Sequence, residues 1–285
     1  MAQTFDDLLK APGLLVLPGA YDALSARIAI RAGARAVYMT GFGVAGASFG
    51  VPDIGLVNAE QMIERVRAIA SAIAPVPLVA DGDNGHGGPL NVARLTRLYE
   101  QSGAQCIQLE DQVSPKRCGH MEGKEVVSPE DAAAKIRAAA EARSSSAFKI
   151  MARTDARATH DLDEALRRGE AFLKAGADIL FIEAPRSEDE LVKVASTFKG
   201  TPLLAHLVED GKTPILSPES LQQMGYKIAL YPISALLAVS AALEQAYGKL
   251  LGAVPQPRTR VTFSQYNEIV GLPEFLATAK RFDTR

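Results

Sequence analysis

One short pattern recurs four times along this chain of 285 residues: a helix-like stretch reaches a glycine and is followed by four or five apolar residues. The four glycines are Gly33, Gly103, Gly176 and Gly225. A glycine at this place suits a helix that closes in the left-handed conformation. An unbroken apolar run is typical of a strand that is buried on both faces of a parallel sheet. The pattern therefore predicts helix–strand units that repeat along one parallel sheet.

Four further apolar runs bring the number of predicted strands to eight. These added strands are Leu14–Leu17, Pro77–Ala80, Phe148–Ala152 and Pro202–Ala205, and the helical stretches include Asn58–Ser71, Pro89–Ser102, Pro129–Ala142 and Leu162–Ala175. Eight alternating units predict a (β/α)8 TIM-type barrel, with a doubly wound open sheet as the alternative. We expect the barrel to span residues 1–252. Residues 253–285 should form a helical tail that packs on the barrel or on a partner subunit.

Charge and composition exclude several classes of protein. Lys plus Arg is 31 and Asp plus Glu is 33, so the net charge of −2 provides no basic field for nucleic acid. Two cysteines are too few for a disulfide scaffold. Asp6 and Asp7 stand where a secretory signal needs positive charge, and the longest uncharged run, Ile228–Leu243, is too short to span a membrane. We therefore expect a cytoplasmic protein with no nucleic-acid or membrane partner.

Polar side chains follow seven consecutive strands, at the end where TIM barrels carry their chemistry. In chain order they are Tyr38, Thr40, Asp81, Asp83, Glu110, Asp111, Arg153, Asp155, Glu183, His206 and Ser234. A solvated strand end explains any one of them, but it does not explain the same placement on seven strands. The sequence therefore predicts a polar site at the carboxyl ends of the strands.

Asp81 and Asp83 are the strongest metal candidates. Residues i and i+2 of an extended chain share a face, so both carboxylates should point the same way. Such oxygen ligands suit Mg²⁺, or Mn²⁺, and Asp53 and Glu110 could complete the shell. A glycine-rich turn capped by aspartate is the alternative. The spacing of an EF-hand is missing, and so is that of a zinc site.

The glycines of Gly41–Gly46 have the spacing of a dinucleotide-binding fingerprint. That fingerprint requires a helix to begin there. Because further glycine and proline residues follow closely, we expect a loop instead of a nucleotide site. The backbone amides of Thr40, Gly41 and Phe42 are better suited to hold a carboxylate or an oxyanion.

A long, polar, glycine-rich stretch separates the fourth strand from the next helix, and such loops are often functional lids. Cys118 lies in it among Lys116, Arg117 and His120. A cationic setting of this kind should lower the pKa of the thiol toward neutrality. An inert, buried cysteine is the alternative, and that is what we expect of Cys106.

Five motifs of this chain occur together in one known superfamily. They are Asp81-Gly-Asp83, Glu110-Asp-Gln, the Lys116-Arg-Cys-Gly-His120 loop, Met151-Ala-Arg-Thr-Asp155 and Gly211-Lys-Thr-Pro214. Together they resemble the isocitrate lyase/phosphoenolpyruvate mutase superfamily over nearly the whole chain. The Cys-Gly-His loop resembles the carbon–carbon lyase members, among them the 2,3-dimethylmalate and 2-methylisocitrate lyases. The resemblance implies a barrel whose last helix is exchanged between the subunits of a homotetramer.

The resemblance also implies roles for individual residues. It implies metal ligands at Asp81, Asp83, Asp53 and Glu110, catalytic groups at Tyr38, Cys118, Arg153 and Glu183, and substrate contacts at Thr40, Gly41, Phe42, Gly119, His120 and His206. His206 stands where most members have Asn, and Asn84 stands where they have Thr, so both bear on the substrate more than on the reaction.

The implied activity is a Mg²⁺-dependent lyase that cuts the C2–C3 bond of a 2-alkyl or 2,3-dialkyl malate. The products are a 2-oxo acid and a carboxylate, formed by a retro-aldol step in which Cys118 donates a proton. Alternatives are an oxaloacetate hydrolase or decarboxylase, a 2-methylisocitrate lyase that takes a tricarboxylate, and an inactive metabolite-binding barrel. Leu237 stands where methylisocitrate lyases have an Arg, so Leu236 and Leu237 are expected to favour an alkyl group in the substrate pocket.

Overall fold

The computed structural model describes residues 3–119, 121, 123–253 and 257–282. Strands and helices alternate through these residues. The strands are β1 (Leu15–Ala20), β2 (Val37–Met39), β3 (Leu78–Asp81), β4 (Cys106–Glu110), β5 (Lys149–Thr154), β6 (Ile179–Ile182), β7 (Leu204–His206) and β8 (Ile228–Tyr231). The helices are α1 (Phe5–Lys10), α2 (Ala23–Arg31), α3 (Gly41–Phe49), α4 (Ala59–Ile73), α5 (Pro89–Gln101), α6 (Pro129–Ala142), α7 (Ala156–Thr159), α8 (Leu162–Lys174), α9 (Glu188–Thr197), α10 (Pro218–Met224), α11 (Ser234–Leu250), α12 (Phe263–Ile269) and α13 (Leu272–Phe282).

The eight strands form one parallel sheet in the order β6-β5-β4-β3-β2-β1-β8-β7. The two ends of the sheet meet where Leu180 of β6 bridges to Leu203, just before β7. The predicted TIM-type barrel is therefore confirmed, and the open sheet is excluded. The four glycines predicted to follow helices all have φ between 96° and 103°, as the sequence pattern requires.

Residues of each strand alternate between two apolar layers. On β4, Cys106 packs with the inner residues of the barrel, whereas Ile107 and Leu109 pack outward against the helices. Phe5 and Leu8 of α1 join the inner layer. Because the alternation has a period of two, the inward positions nearest the carboxyl ends of the strands all face one space. That space is the mouth of the barrel.

The segment Gly41–Gly46 lies in helix α3, so the prediction of a loop there is wrong. Thr40 caps this helix, and its Oγ1 accepts from the Gly43 amide at 3.3 Å. The glycines allow close packing: a Cβ at Gly46 would lie 1.7 Å from the Tyr266 hydroxyl. The helix is stable despite its composition because small residues let it approach its neighbours, a tertiary effect that outweighs helix propensity.

The last part of the chain returns to the mouth of the barrel. The Val261 amide donates to the Leu237 carbonyl at 3.1 Å, and Arg260 pairs with Asp210 at 2.7 Å. These contacts place α12 beside the start of α11. The boundary at residue 252 and the exchange of a helix between subunits stay predictions. Within the described ranges, no helix is both long enough and apolar enough to cross a membrane.

Candidate active site

Side chains from five strands line a cavity at the carboxyl end of the barrel. They are Tyr38, Asp81, Glu110, Arg153 and His206. Register brings some of them side by side, because Glu110 of β4 pairs with Arg153 of β5. The cavity encloses about 430 Å³, part of it open to solvent.

The cavity has two chemically different walls. The acidic wall consists of the carboxylates of Asp53, Asp81 and Glu110, with the cations Lys116 and Arg153 among them. The apolar wall comes from the start of α3, from two connections and from the tail, and it consists of Phe42, Val208, Pro232, Ile233 and Phe263. The rings of Phe42 and Phe263 stack with their centroids 5.4 Å apart.

Two aspartates, Asp53 of the acidic wall and Asp83 beside it, contact one lysine, and Asp81 lies next to them. The Lys116 ammonium contacts the Asp53 carboxylate and lies 2.7 Å from Asp83 Oδ1. Asp81 accepts from the Asp83 amide at 3.1 Å and from the Gly41 amide at 3.1 Å. Asp83 has a φ of +48°, so the chain turns there and the prediction of an extended Asp81–Asp83 segment is wrong. The carboxylates converge because Asp81 caps this turn.

Burial disfavours the ionised form of the carboxyl groups in the acidic wall. It raises the pKa of Asp81 to about 6, and the negative charge of Asp83 adds to the effect. Burial also raises the pKa of Asp53 and of Glu110, although Lys116 and Arg153 oppose the change. The wall therefore carries more buried negative charge than its own cations balance.

The chemistry of this wall fits a hard divalent cation. Its donors are carboxylate oxygens, and Glu110 Oε1 is buried without a hydrogen-bond partner. In the part of the chain that the structure describes, however, no three candidate ligands stand close enough to share an ion. The ammonium of Lys116 lies between Asp53 and Asp83 instead. The donor set fits, and the present arrangement is the one in which Lys116 supplies the positive charge.

Arg153 lies at the centre of a second charged cluster. Its Nε is 2.9 Å from Asp155 Oδ2 and 3.6 Å from Glu183 Oε2, and its Nη1 is 3.4 Å from Glu110 Oε2. Glu183 is fully buried behind the cavity lining, where His206 Nδ1 lies 2.9 Å from its Oε2. Tyr38 donates to Gln108 Oε1 deeper in the barrel.

The loop after β4 brings Cys118 and Gly119 to the cavity. The Cys118 amide donates to the Asp53 carbonyl at 3.1 Å. Lys116, which the sequence places beside Cys118, donates to Asp53 instead. His120 lies outside the described residues. The lowered pKa of Cys118 stays a prediction.

The structure also locates the substrate contacts that the sequence indicates at the start of α3. Thr40 and Phe42 line the cavity. The Gly41 amide, expected to hold a substrate carboxylate, donates to Asp81. A Cβ at Gly41 would lie 2.8 Å from Asp81 Oδ2, so this contact needs a glycine.

The expectation that Leu236 and Leu237 face the substrate is wrong. Both are buried in an apolar cluster with Phe42 and Val261, and neither lines the cavity. Sequence reasoning missed Val208, Ile233 and Phe263 as lining residues and Lys116 as the partner of the acidic wall. The only sequence signal for Lys116 was its position in a polar loop. No sequence pattern in the tail indicated Phe263.

The chain is similar to known proteins over most of its length. The family model for phosphoenolpyruvate phosphomutase matches residues 5–251. The chain is 43% identical to 2,3-dimethylmalate lyase of Eubacterium barkeri, over 98% of this chain and 96% of that protein. It is 40% identical to 2-methylisocitrate lyase of Bacillus subtilis, over 87% of this chain and 81% of that protein.

Solved structures show the same likeness. Oxaloacetate acetylhydrolase in complex with 3,3-difluorooxalacetate superposes with a TM-score of 0.86 at 34% identity, covering 98% of this chain and 96% of that one. Phosphonopyruvate hydrolase in complex with oxalate and Mg²⁺ superposes with a TM-score of 0.75 at 29% identity, covering 96% of both chains.

Proposed function

This chain belongs to the phosphoenolpyruvate mutase/isocitrate lyase superfamily and is a carbon–carbon lyase, and from that premise we propose that it cleaves the C2–C3 bond of a 2-alkyl or 2,3-dialkyl malate. The products are a 2-oxo acid and a carboxylate. Support for the substrate class comes from two relatives, named as lyases of 2,3-dimethylmalate and 2-methylisocitrate.

One observation carries the proposal: a single cavity has both a charged wall and an apolar wall. Asp81, Glu110 and Arg153 contribute to the first, and Val208 and Phe263 to the second. A malate with alkyl substituents presents carboxylates and a hydroxyl on one side and methyl groups on the other. Each methyl that leaves water for the apolar wall stabilises the complex by about 0.8 kcal/mol.

The proposed cofactor is Mg²⁺, with Mn²⁺ as an alternative. Asp81 and Asp83 would hold it, with Asp53 and Glu110 reaching it directly or through water. When bound, the ion supplies Lewis-acid chemistry, which makes the 2-hydroxyl of the substrate easier to ionise. Support comes from the carboxylate-rich donor set and from the Mg²⁺ complex of one structural neighbour.

Residues of this chain have the remaining roles. Arg153 binds a substrate carboxylate and Tyr38 lines the site. When a base takes the proton of the 2-hydroxyl, the oxygen becomes the ketone oxygen and the C2–C3 bonding pair remains on the departing fragment, which Cys118 protonates at carbon. The base gives up its proton to water and Cys118 regains one from water as the products leave. Glu183 and His206 orient Arg153 and the substrate. The loop that carries Cys118 and Gly119 covers the cavity and keeps water from the intermediate.

A second candidate is oxaloacetate hydrolysis, which the likeness to oxaloacetate acetylhydrolase favours. It cleaves a similar carbon–carbon bond and would use the same acidic wall. Oxaloacetate carries no alkyl substituent, so this activity would leave the apolar wall without a function.

The proposal includes a cytoplasmic homotetramer that exchanges a helix. Support comes from apolar side chains that α11 exposes, among them Tyr247 and Leu250, and from Val16 of β1, which is 45% exposed on the outside of the barrel. A helix from a second copy would cover such a strand. Light scattering on the purified protein should give four times the chain mass, whereas a monomer would contradict this part of the proposal.

The test of the activity is release of a 2-oxo acid from 2,3-dimethylmalate, followed with a dehydrogenase-coupled assay. We expect turnover with Mg²⁺ and none after chelation. Turnover that survives chelation would contradict the metal assignment. Formation of acetate and oxalate from oxaloacetate, without cleavage of any alkylmalate, would select the second candidate.

A further inference from the structure

We infer that Lys124 is a positioning residue that connects the loop after β4 to the carboxylate that holds Arg153. The inference rests on the proposed function, since it takes Arg153 as the group that binds a substrate carboxylate. Its basis is Asp155, a buried carboxylate that two cations share.

Asp155 lies just after β5 and is fully buried. Arg153 donates to both of its oxygens, with Nε 2.9 Å from Oδ2 and Nη2 3.1 Å from Oδ1. The Lys124 ammonium donates to the same Oδ1 at 2.6 Å, and its side chain is only 2% exposed. Two-pronged Arg–carboxylate pairs are among the strongest ionic contacts in proteins. Oδ1 of this carboxylate therefore accepts from Lys124 and from Arg153 at the same time.

The same ammonium also fixes the loop. It donates to the carbonyl of Gly119, next to Cys118. Gly119 lies against the charged cluster, because a Cβ there would be 2.3 Å from Arg153 Nη2 and 2.7 Å from Glu183 Oε1. One lysine thus sets both the position of this part of the loop and the environment of Arg153.

Other bonds hold a different part of the loop. Its base is closed by a bridge between Gln112 and Val126. The Gln112 side chain accepts from the Arg117 amide at 2.8 Å and donates to the Arg117 carbonyl at 2.9 Å. These contacts secure the first half of the loop, up to Arg117. Lys124 secures the half that contains Gly119.

The charge balance around Arg153 gives Lys124 its second effect. Three carboxylates, those of Asp155, Glu110 and Glu183, lie within 3.6 Å of the guanidinium. Carboxylates this close reduce the attraction of Arg153 for an incoming anion, more strongly in a buried site than in water. Although burial opposes ionisation, Arg153 and Lys124 hold the pKa of Asp155 below its usual range. Lys124 neutralises part of this charge, so that Arg153 keeps its affinity for a substrate carboxylate.

The experiment compares Lys124→Met, Lys124→Arg and the control Lys193→Met with wild type. Lys193 forms a Lys–Asp pair of the same 2.6 Å length with Asp163, but on the surface. Hydrogen–deuterium exchange of the peptide that contains residues 113–125 measures how firmly the loop is held. Titration with oxalate in the presence of Mg²⁺ measures anion binding without turnover.

Loss of a buried, charge-assisted hydrogen bond changes the equilibrium constant between the closed and open states by roughly 10- to 100-fold. In Lys124→Met, we expect exchange in the loop to accelerate by about that factor and the Kd for oxalate to rise at least ~10-fold. Lys124→Arg should partly restore both values, and Lys193→Met should leave both unchanged. Unchanged exchange in Lys124→Met would overturn the inference. Faster exchange with an unchanged Kd would overturn the link to Arg153. The exchange measurement uses no ligand, so its result is separate from any failure of the proposed lyase activity.

Discussion

The two walls of the cavity differ in origin as well as in chemistry. The acidic wall is built mainly on strand ends, whose backbone is fixed by the hydrogen bonds of the sheet. Glu110 and Arg153, for example, are partners in the β4–β5 register. The apolar wall is built on the start of α3, on connections and on the tail, and Phe263 lies more than 30 residues beyond the end of β8 in the sequence.

This difference separates reaction from selectivity. Ionisation of the acidic wall costs free energy, because burial raises the pKa of Asp53, Asp81 and Glu110. Such charge is retained at functional sites rather than for stability. The apolar wall is stabilised by its own packing, and it contributes no charge to the reaction. We therefore expect variants of the acidic wall to abolish turnover and variants of the apolar wall to change substrate preference.

Replacing Asp83 with Ala should have the largest effect. It removes a proposed metal ligand, so kcat should fall at least ~10³-fold. Because the substitution also breaks the ion pair with Lys116 and places alanine at a φ of +48°, Tm should fall. Steady-state kinetics and thermal unfolding check the two expectations together, with the exposed Asp163→Ala as the control. A protein that unfolds without losing activity per folded molecule would assign Asp83 to the fold instead.

Cys118→Ser tests the proton donor that the loop brings to the acidic wall. A hydroxyl is a far weaker acid than a thiol, so kcat for C–C cleavage should fall by about 10²–10⁴-fold. KM should change little, because the side chain keeps its size. Metal-assisted decarboxylation of oxaloacetate, if the protein performs it, needs no such donor and should persist. Equal loss of every activity would show that the residue serves the loop conformation.

Phe263→Ala tests the apolar wall directly. Each methyl group that loses its contact costs about 0.8 kcal/mol, so kcat/KM for 2,3-dimethylmalate should fall roughly 4- to 15-fold relative to malate. Phe282→Ala, on the exposed side of α13, is the matched control and should leave this ratio unchanged. A parallel loss for both substrates in Phe263→Ala would place the residue in general packing rather than in selection.

The smallest expected effect is on stability. The pKa of Asp81 is about 6 in the folded protein, above its ordinary value of 3.8. The folded state therefore binds more protons between these values, and the stability from this group is lost as the pH rises through about 6. Without divalent metal, the Tm of wild type should fall relative to the Tm of Asp81→Asn between about pH 5 and pH 7. Each kcal/mol of lost stability lowers the Tm by roughly 2–4 °C. Added Mg²⁺ should remove the shift, and an opposite slope would contradict the charge balance described for this wall.

The same two walls explain how much of the molecule could be predicted from its sequence. Tyr38, Glu110 and Arg153 follow from strand periodicity and from the rule that barrels place chemistry at strand ends. Val208 and Phe263 do not, because the approach of a connection or a tail depends on tertiary packing that leaves no local pattern. Helix α3 escaped prediction for a related reason, since its glycines serve close contacts rather than a turn.

In the proposed function, one cavity combines the chemistry of a metal-dependent lyase with selectivity for an alkyl substituent. The most direct measurement is the ratio of kcat/KM for 2,3-dimethylmalate to that for 2-methylisocitrate, with Mg²⁺ present. An additional carboxylate left unpaired against Val208, Ile233 and Phe263 would cost several kcal/mol, so we expect a ratio of ~10² or more. A ratio near or below one would contradict this selectivity and would mean that a polar residue such as His206 binds the third carboxylate.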